Sequence, residues 1–346
     1  MSVTSEPRVE TPQARSLRGP ILLLVKLGLA AALVGWLVHK RALDFGALRF
    51  LVVDPRLFVA NLAAFIACSV VLSTARWWLL LRTIGVRLPA GRATALQLMA
   101  LFFNVAIPGN IGGDFVKALY VARDQGTPRA PLLLLVAIER VLGLLGLVFM
   151  ASIAALVRPG VFANAALRPT LVVVLLLAAG GVVGPVVFAL LLRWLGPRAD
   201  PWLGGPSRVA HIVAQLVAGS RLVLQRPLLL LLALLCSMAM HGVAMAYFTL
   251  LTRVVAGHAV DYGAVATVFP IGLLTTVLPL SPAGMGVGHV AFDRLYQLVG
   301  LTGGATVFNV FLLGQLVPCT VGVLPYLMLR IKDTVRTANN EASTAD

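Results

Sequence analysis

Hydrophobic and polar positions along this chain form long apolar blocks separated by short gaps that carry arginines. Unbroken blocks predict membrane-spanning helices from Ile21 to Val38, Leu57 to Leu81, Pro131 to Val157, Leu171 to Trp194, Pro227 to Leu251 and Ala305 to Leu329. Each is about 18 residues or longer, which is what a helix needs to cross roughly 30 Å of hydrocarbon. Two further blocks, Ala93 to Ala122 and Tyr262 to Leu298, are interrupted. The first stops at Pro108-Gly109-Asn110 and restarts after Gly112-Gly113, with Asp114 and, one turn on, Lys117. The second holds Pro270, Pro279, Ser281-Pro282 and the run Gly284-Met285-Gly286-Val287-Gly288-His289. A broken helix leaves backbone N–H and C=O groups that lipid cannot satisfy. It therefore survives only where protein buries it or where it lines a wet cavity.

The interrupted blocks allow two topologies. If both cross the bilayer there are eight spans, and Lys and Arg, leaving out Arg76 and Arg140 inside spans, divide evenly, 13 on each side. If each dips in and returns as a re-entrant hairpin there are six spans, and the division becomes 18 cytoplasmic against 8 outside. The positive-inside rule selects the second arrangement. The hairpins then enter from opposite faces, the mark of an inverted repeat. Gly112-Gly113-Asp114-Phe115-Val116-Lys117-Ala118-Leu119-Tyr120 also lines up without a gap on Gly288-His289-Val290-Ala291-Phe292-Asp293-Arg294-Leu295-Tyr296. Paired interrupted segments in two halves of a chain point to a transporter site at the repeat interface. Residues 1–19 and 331–346 read as cytoplasmic tails around a membrane domain at 20–330, and 207–224 as a helix along the interface.

Composition narrows the class. The chain is 59% hydrophobic and 12% charged, with a mean hydropathy of +0.95, which makes it an all-α polytopic membrane protein. Its net charge of +15 would suggest nucleic acid in a soluble chain. Here the arginines lie between apolar runs, so the charge reads as an orientation signal and as attraction to anionic lipid headgroups, with no nucleic acid. Cys68, Cys236 and Cys319 lie within apolar runs and read as free thiols, and no motif implies a metal or cofactor.

Charges inside apolar segments cost about 2.5–3.5 kcal/mol each on insertion scales, so each needs a reason. Asp114 is placed either to cap the restarted helix or to gate an anion held by the N–H groups of Asn110 to Gly113. Lys117 pairs with Asp114 or faces that anion. Glu139 and Arg140 point about 100° apart on one helix, so each needs its own partner: Asp114 for Arg140, and Lys117 or Arg76 for Glu139. Such pairs either pin helices together or serve a substrate. Arg76 alternatively snorkels to the interface beside Trp77-Trp78. Asn104 is expected to hydrogen-bond a carbonyl freed by the break. Ser281, Gly284, Gly286, Gly288, His289 and Asp293 are the candidates of the second hairpin, on the expectation that both glycine turns face one shared gap.

These residues carry a family resemblance. Arg76-Trp77-Trp78-Leu79-Leu80, Phe103-Asn104 to Pro108-Gly109-x-x-Gly112-Gly113-Asp114, Glu139-Arg140, and Leu278-Pro279 to Gly284-x-Gly286-x-Gly288 resemble the flippase-like transmembrane domain of lysylphosphatidylglycerol synthases. The resemblance spans about residues 20–330 and implies translocation of a phosphate-bearing lipid in the cell membrane. In that family a glutamate usually follows the second glycine motif, where this chain has His289. Sixteen residues, 331–346, follow the membrane domain, so lipid movement rather than lysine transfer is implied, and no enzyme activity. The alternative from another class is a membrane enzyme or accessory protein acting on polyprenyl-phosphate or glycolipid intermediates, against which stands the lack of a DxD pair.

Overall fold

The computed structural model describes residues 45–106, 112–203, 208–277 and 286–328. The span expected at Ile21 to Val38 and both tails lie outside the described residues. Among the described residues there is no strand, and five helices are long and apolar enough to cross a membrane. After a short helix at Arg49–Val53, the chain forms α1 (Pro55–Thr83), α2 (Ala90–Ala106), α3 (Gly112–Gln125), α4 (Arg129–Val157) and α5 (Arg168–Leu203). It continues as α6 (Arg208–Leu224), α7 (Pro227–Ala256), α8 (Tyr262–Val277), α9 (Val287–Leu298) and α10 (Gly304–Cys319), which runs on through a tighter turn to Met328. The chain is an all-α polytopic membrane protein.

Local chemistry sets several boundaries. The Asp54 carboxylate accepts the N–H groups of Arg56 and Leu57 at 2.9 and 3.4 Å, and Pro55 occupies the first turn, so α1 begins where its orphan donors are satisfied. At its other end α7 stops at Gly257, whose φ of +72° is the left-handed turn that favours glycine. Within α1, Ile66–Leu72 widens into π-helical turns.

The interrupted segments are hairpins and not crossings. Helices of 17, 14, 16 and 12 residues (α2, α3, α8, α9) reach only about 18–26 Å at 1.5 Å per residue, short of a full span. Arg92, at the start of α2, bonds Asp124, at the end of α3, through Nε at 3.0 Å and a terminal nitrogen at 2.5 Å. Both ends of the first hairpin therefore lie on one face of the bundle. On the opposite face, Arg158 at the end of α4 bonds Asp261 just before α8 at 2.5 Å. Asn164, shortly after α4, donates to the Leu298 carbonyl at the end of α9 at 3.0 Å. The eight-span alternative is incompatible with these ties.

The units α1–α4 and α7–α10 are thus the same four-element motif, inserted with opposite orientation. Each has its own core. One gathers Trp77, Leu80, Leu96, Met99, Val121 and Leu135, and the other gathers Phe248, Phe269, Phe292, Tyr296, Phe308 and Val310. Helices α4 and α10 serve both hairpins. The beginning of α10 packs on α9, where a Cβ on Gly304 would sit 2.3 Å from the Phe292 carbonyl oxygen. Its far end packs on α2, where Tyr326 meets the Phe103 ring at 5.1 Å. Helix α5 stands apart with most of its surface outward, including Leu176, Val182, Val187, Leu190 and Trp194.

A buried charge cluster as candidate functional site

The cluster is built from α1, α2, α3, α4 and α7. Helix α3 restarts against the backbone of α2. A Cβ on Gly113 would lie 1.8 Å from the Ala100 carbonyl oxygen, so only glycine permits that approach. The Gly113 N–H donates to Asn104 Oδ1 at 2.8 Å. Asn104 thus accepts from a freed N–H, while its expected bond to a carbonyl of the break falls on residues outside those described. One expectation is corrected: the Gly113 N–H is already taken. Gly113 serves close packing and not the approach of a ligand to the backbone.

The packing turns Asp114 and Lys117 towards α4. Lys117 Nζ lies 2.8 Å from Glu139 Oε2, 3.2 Å from Asp114 Oδ1 and 3.2 Å from Gln97 Oε1. The ammonium also sits 4.4 Å from the centre of a Trp77 ring. Lys117 is fully buried, and it meets two carboxylates, an amide oxygen and an aromatic face. Without them its charge would be untenable at that depth. Gln97 in turn donates to Ser73 Oγ at 2.8 Å. Arg140 donates to Asp114 Oδ2. Arg76 donates to Glu139 Oε1 at 3.1 Å and to Ser237 Oγ on α7 at 3.0 Å.

Glu139 and Arg140 therefore diverge around α4 as their 100° offset requires, and each finds the partner named for it. Arg76 does not snorkel outwards; its side chain is 12% exposed and closes the cluster from α1. The cluster holds three cations (Arg76, Lys117, Arg140) and two carboxylates (Asp114, Glu139). Among the described residues it carries one excess positive charge. The Arg140 side chain is 40% exposed while the Asp114 and Glu139 side chains are 9% and 4% exposed, so the excess opens outwards at Arg140. Two buried donors of cluster residues, Arg76 Nε and Trp77 Nε1, have no protein acceptor among the described residues. Gln97, Ser73 and Ser237 were not singled out from the sequence, and Trp77 entered only as a neighbour of Arg76. Gln97 was findable, being a lone amide in an apolar run.

The second hairpin is arranged alike but filled differently. His289 accepts the Gly286 N–H at 3.3 Å through Nδ1, while its Nε2 lies 3.3 Å from Asn309 Oδ1 on α10. Its ring meets Phe308 edge-on at 5.1 Å. Phe292 stacks on Phe308 at 4.9 Å and meets Phe248 of α7 at 4.9 Å. Three of these contacts have a counterpart in the first half. Asp114 reaches Arg140 as His289 reaches Asn309, Lys117 reaches Glu139 as Phe292 reaches Phe308, and Lys117 lies against Trp77 as Phe292 lies against Phe248. The structural register thus matches Gly113 with Gly288, one residue from the ungapped alignment of Gly112 with Gly288. An ionic core in one half corresponds to an aromatic core in the other.

The shared gap is not drawn by these contacts, because Lys117 is enclosed in its own half and His289 bonds within the other. Asp293 lies away from the charge cluster and accepts from Gln297 one turn along α9 at 3.0 Å. Asn110, Ser281 and Gly284 lie outside the described residues. Gly286 has a φ of +84° and is exposed, and Gly288 is packed on Phe308, where a Cβ would meet the ring at 2.4 Å. Cys68, Cys236 and Cys319 are free thiols.

Inverted half-repeats with one re-entrant hairpin each, and among the described residues a charged core in one of them, define a polytopic helical membrane protein. Residues 23–324 match the family described as the lysylphosphatidylglycerol synthase TM region, and the chain belongs to that family. Comparison with curated proteins and with solved structures returned no match.

Proposed function

We infer that the protein is a translocase that moves a lipid with an anionic, phosphate-bearing headgroup between leaflets. The observation that carries this reading is the buried cluster of three cations and two carboxylates, open at Arg140. One negative charge brings it to neutrality, and a phosphodiester carries one. A headgroup phosphate would compete with Asp114 for the Arg140 guanidinium, which offers a planar pair of donors suited to phosphate oxygens. Arg76 Nε and Trp77 Nε1 supply further donors in the same neighbourhood. A hairpin that ends inside the bilayer keeps this exchange near mid-depth, where a headgroup needs help to pass.

The face that carries Arg92 and Asp124 is assigned to the cytoplasm, from the 18-to-8 division of Lys and Arg. The membrane concerned is the cell membrane, and the substrates are its lipids.

The test is leaflet exchange in liposomes holding purified protein and a panel of fluorescent lipids, read by quenching the outer leaflet. Phosphate-bearing lipids should become fully quenchable, and a neutral glycolipid should not. Equal exchange with Arg140→Gln, or no exchange of any phosphate-bearing lipid, would overturn the reading.

A further inference from the structure

A second place outside the charge cluster is shaped for a lipid. Beside the second half of α5, where α6 ends and α7 begins, the three helices leave a cleft of about 790 Å³. Pro185, Val186, Ala189 and Leu190 of α5 form one wall, and Leu224 and Leu230 form the other. Arg193, Arg221 and Gln225 also line it. From Pro185 to Arg193 the α5 wall runs about 12 Å at 1.5 Å per residue. The cleft is therefore polar towards one end and apolar along the rest.

Its position fixes which end is which. The polar end lies at the α6–α7 junction, where Gly219 of α6 packs against Pro131 at the start of α4. That is the same face as the Arg92–Asp124 tie. Trp194, next to Arg193, is 61% exposed, as expected of an aromatic side chain at headgroup level. Two guanidinium groups at the interface above an apolar groove match the phosphate and the upper acyl chains of a phospholipid in register. A soluble anion would use the arginines but have no use for the groove.

We propose that this cleft holds an anionic phospholipid of the adjacent leaflet, with its phosphate at Arg193 and Arg221 and its acyl chains along α5. The lipid fills the corner where α5 is otherwise little supported by protein. This site is independent of the translocation assigned to the Arg140 cluster.

Native mass spectrometry of the full chain in neutral detergent tests it, with phosphatidylglycerol and phosphatidylcholine supplied in equal amounts. Two arginines near an anionic headgroup correspond to a preference of about thirtyfold for phosphatidylglycerol. In an Arg140→Gln background, where the charge cluster does not contribute, Arg193→Gln/Arg221→Gln should bring the ratio near one, and the exposed single change Arg193→Gln should lower it partway. Leu190→Trp, which fills the groove and keeps both arginines, should release bound lipid. Arg140→Gln removes the contribution of the charge cluster, and a preference carried by this cleft should persist in it. A preference that survives the double change overturns the proposal, as does one lost in Arg140→Gln alone. Displacement of the phospholipid by equimolar inorganic phosphate, with Leu190→Trp unaffected, would mark a soluble-anion site and overturn it equally.

Discussion

Lys117 Nζ and Glu139 Oε2 lie 2.8 Å apart with both side chains closed off from solvent, and the two halves of the first repeat are joined through them. Removing one member of a buried pair strands the other, at a cost of about 3–5 kcal/mol. Lys117→Met and Glu139→Gln should each lower the thermal unfolding midpoint sharply in detergent. The double change should be milder than the sum, since Asp114 keeps Arg140 and Arg76, though deprived of Glu139, keeps Ser237. Additive losses in that cycle would mean the pair is not coupled.

Asp114 and Arg140 separate stability from function. The Arg140 side chain is 40% exposed, so Arg140→Gln should fold and lose leaflet exchange. Asp114→Asn removes the competitor for Arg140 while keeping its shape, and should bind phosphate-bearing lipid more tightly but exchange it more slowly. The double neutralisation, which also lacks Arg140, should lose exchange as Arg140→Gln does. Direct binding and exchange rates measured on the same preparations decide it.

The two glycine turns should respond differently to substitution. Gly113→Ala puts a methyl group into the Ala100 carbonyl of α2, which is backbone and cannot swing away, so folded protein should be lost. Gly286→Ala meets nothing within 4 Å and incurs only the left-handed backbone penalty of about 1–2 kcal/mol. Yield of monodisperse protein separates the two. Equal yields would contradict the α2–α3 packing.

Orientation is open to thiol labelling. In a background lacking Cys68, Cys236 and Cys319, cysteine at Arg129 or Arg208 should resist an impermeant reagent added outside cells. Cysteine at His258 should react. Labelling at Arg129 with protection at His258 would invert the assigned orientation, and labelling at all three would contradict the opposed hairpins.

Asp261 offers a pH handle outside the spans. The Gly263 N–H, at 2.9 Å, and the Arg158 guanidinium hold its carboxyl below the usual carboxylate range. A lowered folded-state value means its contribution is present above the ordinary aspartate range, near pH 4, and is lost as pH falls through the depressed value. Amide exchange at Gly263 should rise, relative to intrinsic exchange, in that acid window. Asp261→Asn should abolish the rise.

Much of the architecture was legible in the chain because it follows from local physics. Apolar run length marks the spans, and Pro-Gly breaks mark where a helix cannot continue. The Lys and Arg division favoured hairpins over crossings, and the ties of Arg92 to Asp124 and of Arg158 to Asp261 agree. Helix ends moved by a few residues, as at Pro55–Thr83 against Leu57 to Leu81. The pairing of Asp114 with Arg140, and of Glu139 with Lys117 and Arg76, followed from the cost of isolated charge in lipid and the 100° step between neighbours.

What the sequence alone determined is therefore which groups must be buried and that they must be paired. Tertiary structure decided the geometry of that pairing. Arg76 could have reached the interface or the core with equal local ease, and only the rotation of α1 against α4 and α7 turned it to Glu139 and Ser237. Gly113 could have cradled a ligand or a neighbouring helix, and the carbonyl of Ala100 settled on the helix. The one-residue shift between the repeats, and the exchange of an ionic core for an aromatic one, depend on which side chains face each other across helices far apart in the chain. A sequence period fixes the face a residue occupies, but the partner on that face is set by packing.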